Sequence, residues 1–460
     1  MDKIDILRKQ IIASDSFCFH PYLELSTNPA GHTRPCCYYE GYLYETALHS
    51  RTKEDKIISI HTPGMTFEKI WQSEHLQEMR KDMWEGKLPR QCVVCKRDGA
   101  ASMRARSVKE YKNDEEVLKL VEATITNDFK VKHLPIRLEL KPSNLCNLKC
   151  IMCNSYDSNQ IGKELTELTK KHTGIEVFEG RLEAINKNRI GLIEVDLLYQ
   201  EIESTDYSEN VGVWDSFVAM APTLKVLSFA GGEPTLSAFV LRALQYCVDH
   251  DYAKNIIVFC SSNYTNLNKN FLELMPHYKR FELIASIDGF EKVQEYTRYP
   301  SKWEAIEKNY CRAKKYIEHS NIKIVMNITV TALNVLNLDK LLYWIEEQSN
   351  IAPYFDSWWP YNLNLLWSPS HQRIEYLPRE IKAKAVQRLK KYKENSSILK
   401  EFPDMHGMID LVITQLQSTE ISDMEIEKGI SKFSNILKIL DEHRRVDINE
   451  YIPDLAGVYK

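Results

Sequence analysis

No run of about 18 apolar residues occurs in the chain, so no membrane-spanning helix is expected. Residues Met1 to Ala13 mix charged and apolar side chains, without the uncharged core and small-residue cleavage site of a secretory signal. The sequence therefore reads as that of a soluble, cytoplasmic protein with no membrane partner. Neither sign of charge dominates: 60 Lys and Arg stand against 64 Asp and Glu. That balance gives no basic footprint over the whole surface and disfavours a nucleic-acid partner. No repeat of fixed period marks a solenoid. With 43% hydrophobic and 27% charged residues over 460 positions, the composition is globular rather than disordered or collagen-like, and the length predicts two or three domains.

Cysteine is the residue that is present in force. The 11 cysteines are odd in number and clustered, which points to reduced thiols or metal ligands rather than a disulfide framework. They form an early group (Cys18, Cys36, Cys37, Cys92, Cys95), a tight triplet (Cys146, Cys150, Cys153) and three scattered residues (Cys247, Cys260, Cys311). This grouping suggests two metal sites. The scattered three fall among apolar neighbours and read as packed thiols.

Helical spacing of Phe67, Ile70, Trp71, Leu76, Met79 and Met83 predicts one helix from Thr66 to Trp84, stopped by Gly86. Residues 111–134 read as a charged connector between an N-terminal module, 1–110, and the remainder of the chain. From Pro135 the short apolar runs IRLELK, KVLSFAG, NIIVFCSS, FELIASIDG and IKIVMNITVT, most of them separated by helical stretches, predict an α/β fold with a parallel sheet over 135–369. The interval 154–222 is too long for one crossover and reads as a helical insertion. Residues 370–460 show mostly helical spacing.

The triplet has the spacing C-x3-C-x2-C directly after the first of these runs. Three thiolates on one loop suit three irons of a 4Fe-4S cluster and leave the fourth open. A zinc site closed by a distant Cys or His is the alternative. After the second run, Gly231 and Gly232 precede Glu233 and Pro234. Residues without a Cβ let the backbone approach a ligand at the carboxyl end of a strand, although GGEP alone reads first as a plain turn.

Together, the loop after the first strand and GGE after the second resemble the radical SAM superfamily, over roughly Pro135 to Leu366. The resemblance implies a partial or complete (β/α) barrel. It implies that Cys146, Cys150 and Cys153 hold a 4Fe-4S cluster whose open iron binds S-adenosylmethionine. Gly231, Gly232 and Glu233 would receive the methionine ammonium, and Met152 would meet the adenine. Ser286, Asp288 and Arg298 match positions that hold the ribose and carboxylate, and a guanidinium suits a carboxylate. Without the family, Arg298 reads as a surface helix residue. Ser262, Asn263, Asn327 and Thr329 are weaker candidates. The implied chemistry is reductive cleavage to methionine and a 5'-deoxyadenosyl radical that abstracts hydrogen, with an electron donor such as flavodoxin or ferredoxin.

Four soft ligands in two pairs, Cys18 with Cys36 and Cys92 with Cys95, make a closed set that spacing alone assigns to zinc or to a fully ligated 4Fe-4S cluster. The stretches FCFHPYLELSTNPAGHTRPCC, TFEKIW and CVVC resemble the SPASM or twitch module of radical SAM enzymes, which implies one auxiliary 4Fe-4S cluster and favours Cys36 over Cys37. In that family the module follows the barrel, whereas here it precedes it. Relatives with such modules often modify peptides or proteins, so a peptide or protein substrate is expected, with a small metabolite or nucleotide as the alternative. A non-catalytic zinc-binding protein is the contrasting class. His20 and His32 are the histidines nearest the N-terminal set. The aromatic run containing Phe355, Trp358, Trp359, Tyr361 and Trp367 reads as core around a sixth strand, with some rings available to line a cavity.

Overall fold

The computed structural model describes residues 3–29, 31–39, 60, 64–99, 102–171, 175–178, 181–184, 206–207, 210–348 and 360–459. Among the described residues ten strands form: β1 Glu24–Thr27, β2 Thr33–Arg34, β3 Arg137–Leu140, β4 Ile175–Phe178, β5 Arg181–Ala184, β6 Val226–Phe229, β7 Ile257–Ser262, β8 Arg280–Ala285, β9 Ile322–Val330 and β10 Tyr361–Leu365. Eight of them make a sheet in the order β10-β9-β8-β7-β6-β3-β1-β2. The pairs β1/β3, β3/β6, β6/β7 and β9/β10 are parallel, and β1/β2 is antiparallel. All five apolar runs named above become strands. The α/β class holds, with a mostly parallel sheet that, among the described residues, is open, the partial form of the expected barrel. Tyr361 begins β10 at the predicted sixth strand; Phe355, Trp358 and Trp359 lie outside the described residues.

The chain divides into two compact units. The first comprises residues 1–145, 204–260 and 274–281. Here β1 lies beside β3 with Leu25 opposite Leu138, so the cysteine-bearing N-terminal segment shares a sheet with the first predicted barrel strand. The segment read as a connector, 111–134, carries a packed helix, Glu115–Thr126, capped by Asp114 accepting from Val117 N–H. Its Val117, Leu118 and Val121 join Leu7, Ile11 and Phe19 in a buried core. Charged residues on its outer face gave the segment its linker-like composition. The helix expected over 66–84 is two, Phe67–Trp71 and Glu74–Trp84, because the Ser73 hydroxyl caps the second by accepting from Leu76 N–H.

The second unit comprises residues 146–203, 261–273 and 282–460. The insertion, expected to be helical, carries helix Asn159–Lys171 followed by the antiparallel hairpin β4/β5. The C-terminal region is helical as expected, with helices Arg379–Asn395, His406–Gln417 and Asp423–Arg444. A capping box of Ser422 and Glu425 starts the last of these, and Arg445 in a left-handed conformation ends it. Among the described residues no helix is long and apolar enough to cross a membrane.

Candidate metal centres

The triplet loop lies in the second unit. Cys146 and Cys150 are buried and Cys153 is half-buried. Local hydrogen bonds shape the loop: Cys146 N–H donates to Asn159 Oδ1 (3.1 Å) and Cys153 N–H to the Cys150 carbonyl (3.0 Å). Met152 packs with Cys146, Leu148 and Cys150. Asn147 is tied to Asn263, whose Nδ2 donates to Asn147 Oδ1 at 2.9 Å.

Arg298 is not a surface residue. It ends helix Lys292–Thr297, its Nη1 stands 3.9 Å from Cys150 Sγ, and its Nε donates to Asp288 Oδ2 at 2.6 Å. Asp288 is fully buried, and its Oδ1 accepts the Thr329 N–H at 2.7 Å. Both carboxylate oxygens are therefore engaged, and the residue orients Arg298. Burial opposes the Arg298 charge, but Asp288 and Cys150 outweigh it and hold the guanidinium's pKa above its ordinary value. Ser286 N–H donates to the Ser262 carbonyl at 2.8 Å, and Asn327 Oδ1 accepts from Asn364 at 2.7 Å. Burial pushes the Cys150 thiol up to about 12, with Arg298 opposing. Such a thiol gives up its proton when a metal cation takes the sulfur, which is the chemistry this donor set fits.

The glycine turn lies in the first unit. Gly231 and Gly232 have φ of +73° and +53°, conformations that L side chains disfavour. A Cβ on Gly231 would sit 2.7 Å from Lys141 Cβ, and one on Gly232 only 2.4 Å from the Leu145 carbonyl oxygen. That same oxygen accepts the Glu233 N–H at 2.8 Å. The two glycines are thus needed for packing against the segment that leads in sequence straight into Cys146. Glu233 is buried, and its Oε1 accepts from Thr235 N–H and hydroxyl.

A cavity in the first unit is lined by Cys18, Cys36, Cys92 and Cys95 together with His20 and Met103. Cys37 is not among its lining residues. Cys92 precedes helix Val93–Asp98, Cys95 lies on it, and Cys18 Sγ stands 3.7 Å from the Ser107 hydroxyl. Burial pushes Cys18 up to about 12 and raises Cys36 and Cys92 as well, each also pushed up by other thiols of the set. Beside them, His20 Nδ1 and Arg137 Nε both bond Glu24 Oε2, at 2.8 and 3.0 Å. Among the described residues no group of three or more His, Cys, Asp or Glu stands at the spacing of ligands to a single ion.

Of the scattered thiols, Cys247 and Cys260 are buried, but Cys311 is exposed. It falls off the stripe of helix Trp303–Lys314 that buries Trp303, Ile306 and Tyr310. Trp367 is likewise exposed, at 66%. His32 is half-buried, its N–H donating to Asn28 Oδ1. Sequence reasoning missed Glu164, Gln372 and Arg444, which line a cavity in the second unit with Cys150 and Cys153; no local motif marks them.

The loop, the glycine turn and the mostly parallel sheet are the features on which the resemblance to the radical SAM superfamily rests. No protein-family model and no curated protein matches the chain. Solved structures are similar to it. One is native anSMEcpe with bound AdoMet, 16% identical with a TM-score of 0.34 over 56% of this chain and 60% of that one. Another is SuiB of Streptococcus suis bound to S-adenosylmethionine, 12% identical with a TM-score of 0.35 over 71% and 67%. SuiB bound to its precursor peptide SuiA is 12% identical with a TM-score of 0.30 over 68% and 64%. The chain spans about 60% of the length of the first of these. Scores this low mark a similarity and no more.

Proposed function

We propose that the chain is a radical SAM enzyme that acts on a peptide or protein. The observation that carries this reading is the triplet loop itself: three thiols from one short segment, with the charged Arg298 guanidinium 3.9 Å from the middle one. Cys146, Cys150 and Cys153 would hold a 4Fe-4S cluster, and S-adenosylmethionine would take the iron that they leave open. When bound, the cluster supplies the electron for reductive cleavage of the sulfonium. Arg298, fixed by Asp288, would orient a carboxylate, and Met152 and Ser286 would be further contacts. Gly231, Gly232 and Glu233 would take the ammonium. The N-terminal cavity suits an auxiliary 4Fe-4S cluster held by Cys18, Cys36, Cys92 and Cys95, since four soft ligands close a site.

A peptide substrate is inferred from the resemblance to enzymes with auxiliary-cluster modules, and a flavodoxin or ferredoxin would deliver the electron. Anaerobic purification tests the reading. About eight irons per chain with a broad absorbance near 400 nm, followed by release of methionine and 5'-deoxyadenosine under reductant, is expected for two clusters. Stoichiometric zinc without a chromophore overturns it, and would make His371, which lines a cavity with Cys150 and Cys153, the candidate fourth ligand of a closed site.

A further inference from the structure

On both sides of Cys150 the backbone of the triplet loop is fully engaged. Lys149 N–H donates to the Tyr299 carbonyl (2.6 Å) and Ile151 N–H to the Thr297 carbonyl (2.9 Å). The carbonyls of Lys149 and Ile151 are held from much further along the chain. Arg444 Nη2 donates to Lys149 O at 2.9 Å, and Gln372 Nε2 donates to Ile151 O at 3.1 Å. Both side chains come from beyond β10, in the helical C-terminal region.

Arg444 is the last residue of helix Asp423–Arg444 and is nearly buried, its side chain 4% exposed. Glu164, 2% exposed, grips it with both oxygens: Nε to Oε1 at 2.9 Å and Nη2 to Oε2 at 2.6 Å. The second hydrogen on Nη2 is the one that reaches the Lys149 carbonyl. Lys149 Nζ and His443 Nε2 also face Glu164 Oε1, at 3.4 and 3.8 Å. Only a planar fork serves carboxylate and carbonyl at once; an ammonium is a single point of charge. Gln372 is 3% exposed, so its bond to Ile151 is made away from water.

We propose that Arg444, oriented by Glu164 and seconded by Gln372, is a positioning residue that sets the backbone on either side of Cys150. The C-terminal helices are then part of the cluster site and not an appendage to it. The proposal rests on the radical SAM reading for the identity of this loop as a cluster loop, but the pinning itself precedes any metal.

Hydrogen exchange read by mass spectrometry on the full, metal-free chain tests it. R444Q is expected to speed exchange across residues 147–153 about tenfold, the effect of losing a charged hydrogen bond, while β9 and β10 exchange as in the wild type. R444K restores little of this protection. Where R444Q fails to fold, Q372L carries the test, with several-fold faster exchange at Ile151 alone. A second readout is the midpoint potential of the loaded cluster. R444Q removes a positive charge from beside the loop and lowers it; E164Q removes a negative charge and raises it. A merely structural role would shift both the same way. Unchanged exchange over 147–153, or potential shifts of one sign, would overturn the proposal. A chain that binds no iron defeats the functional reading while leaving the exchange result to stand alone.

Discussion

Gly232→Ala offers a steric test of how the glycine turn meets the segment entering the triplet. The new methyl group would lie 2.4 Å from the Leu145 oxygen, with Leu145 C at 3.0 Å and Asn144 C at 3.1 Å. All three are backbone atoms, and the oxygen is anchored by the Glu233 N–H at 2.8 Å, so it cannot turn away without losing that bond. The left-handed φ of +53° costs a non-glycine residue about 1–2 kcal/mol, and forced overpacking about 1–3 kcal/mol more. The sum is a loss of about 2–5 kcal/mol in unfolding free energy. Gly86→Ala is the matched control: its φ is +90° with nothing within 4 Å of the added Cβ, so only the backbone cost of about 1–2 kcal/mol applies. Urea unfolding of both variants, with iron content of the reconstituted proteins, reads the difference. If G232A is no less stable than G86A, the close approach does not exist in solution and the packing argument is wrong.

The same geometry predicts further outcomes. Asp288→Asn breaks a buried pair and should lower stability by about 3–5 kcal/mol, measured by chemical denaturation, and weaken S-adenosylmethionine binding in equilibrium dialysis; a change under about 1 kcal/mol would show the pair to be solvated. Cys150→Ala should abolish S-adenosylmethionine cleavage, whereas Cys92→Ala should lose about half the iron yet keep some uncoupled release of 5'-deoxyadenosine, quantified by chromatography. Equal loss of cleavage in both variants would contradict separate roles for the two sites. Burial pushes the Glu24 carboxyl up, but His20 and Arg137 outweigh it and hold the pKa down to about 2, from an ordinary 4.5. Its folded value is depressed, so its contribution is present above about 4.5 and is lost as pH falls towards 2. The wild-type advantage over E24Q should thus shrink by about 3 kcal/mol across that window, and a pH-independent difference would remove the argument.

Much of the second half of the molecule was legible from residue order. Five apolar runs of strand length became β3, β6, β7, β8 and β9, because buried parallel strands are continuous apolar stretches. The triplet and the glycine pair were legible because their spacing and lack of a Cβ carry chemistry locally. What the glycines approach was not, since the Leu145 carbonyl is an unremarkable backbone atom until the chain folds. β1 escaped notice because Glu24 and Ser26 give it a polar look, though all four of its residues are buried beside β3. Ser73 reads as a mid-helix residue in a periodic run, yet its hydroxyl caps the start of a second helix. Arg444 and Glu164 meet across 280 positions, a pairing that no window of sequence can express. Arg298 looked like a surface residue because its burial depends on Asp288, supplied by the segment following β8.

The central claim is that three cysteines leave one iron of a cluster free for S-adenosylmethionine. Electron-nuclear double resonance on the reduced Cys92→Ala protein, with S-adenosylmethionine carrying nitrogen-15 at its amino group, reads that iron directly. A nitrogen-15 coupling that disappears when unlabelled cofactor is substituted is the expected result. A reduced cluster whose spectrum is indifferent to S-adenosylmethionine, or a coupling from a protein histidine in its place, would contradict the account.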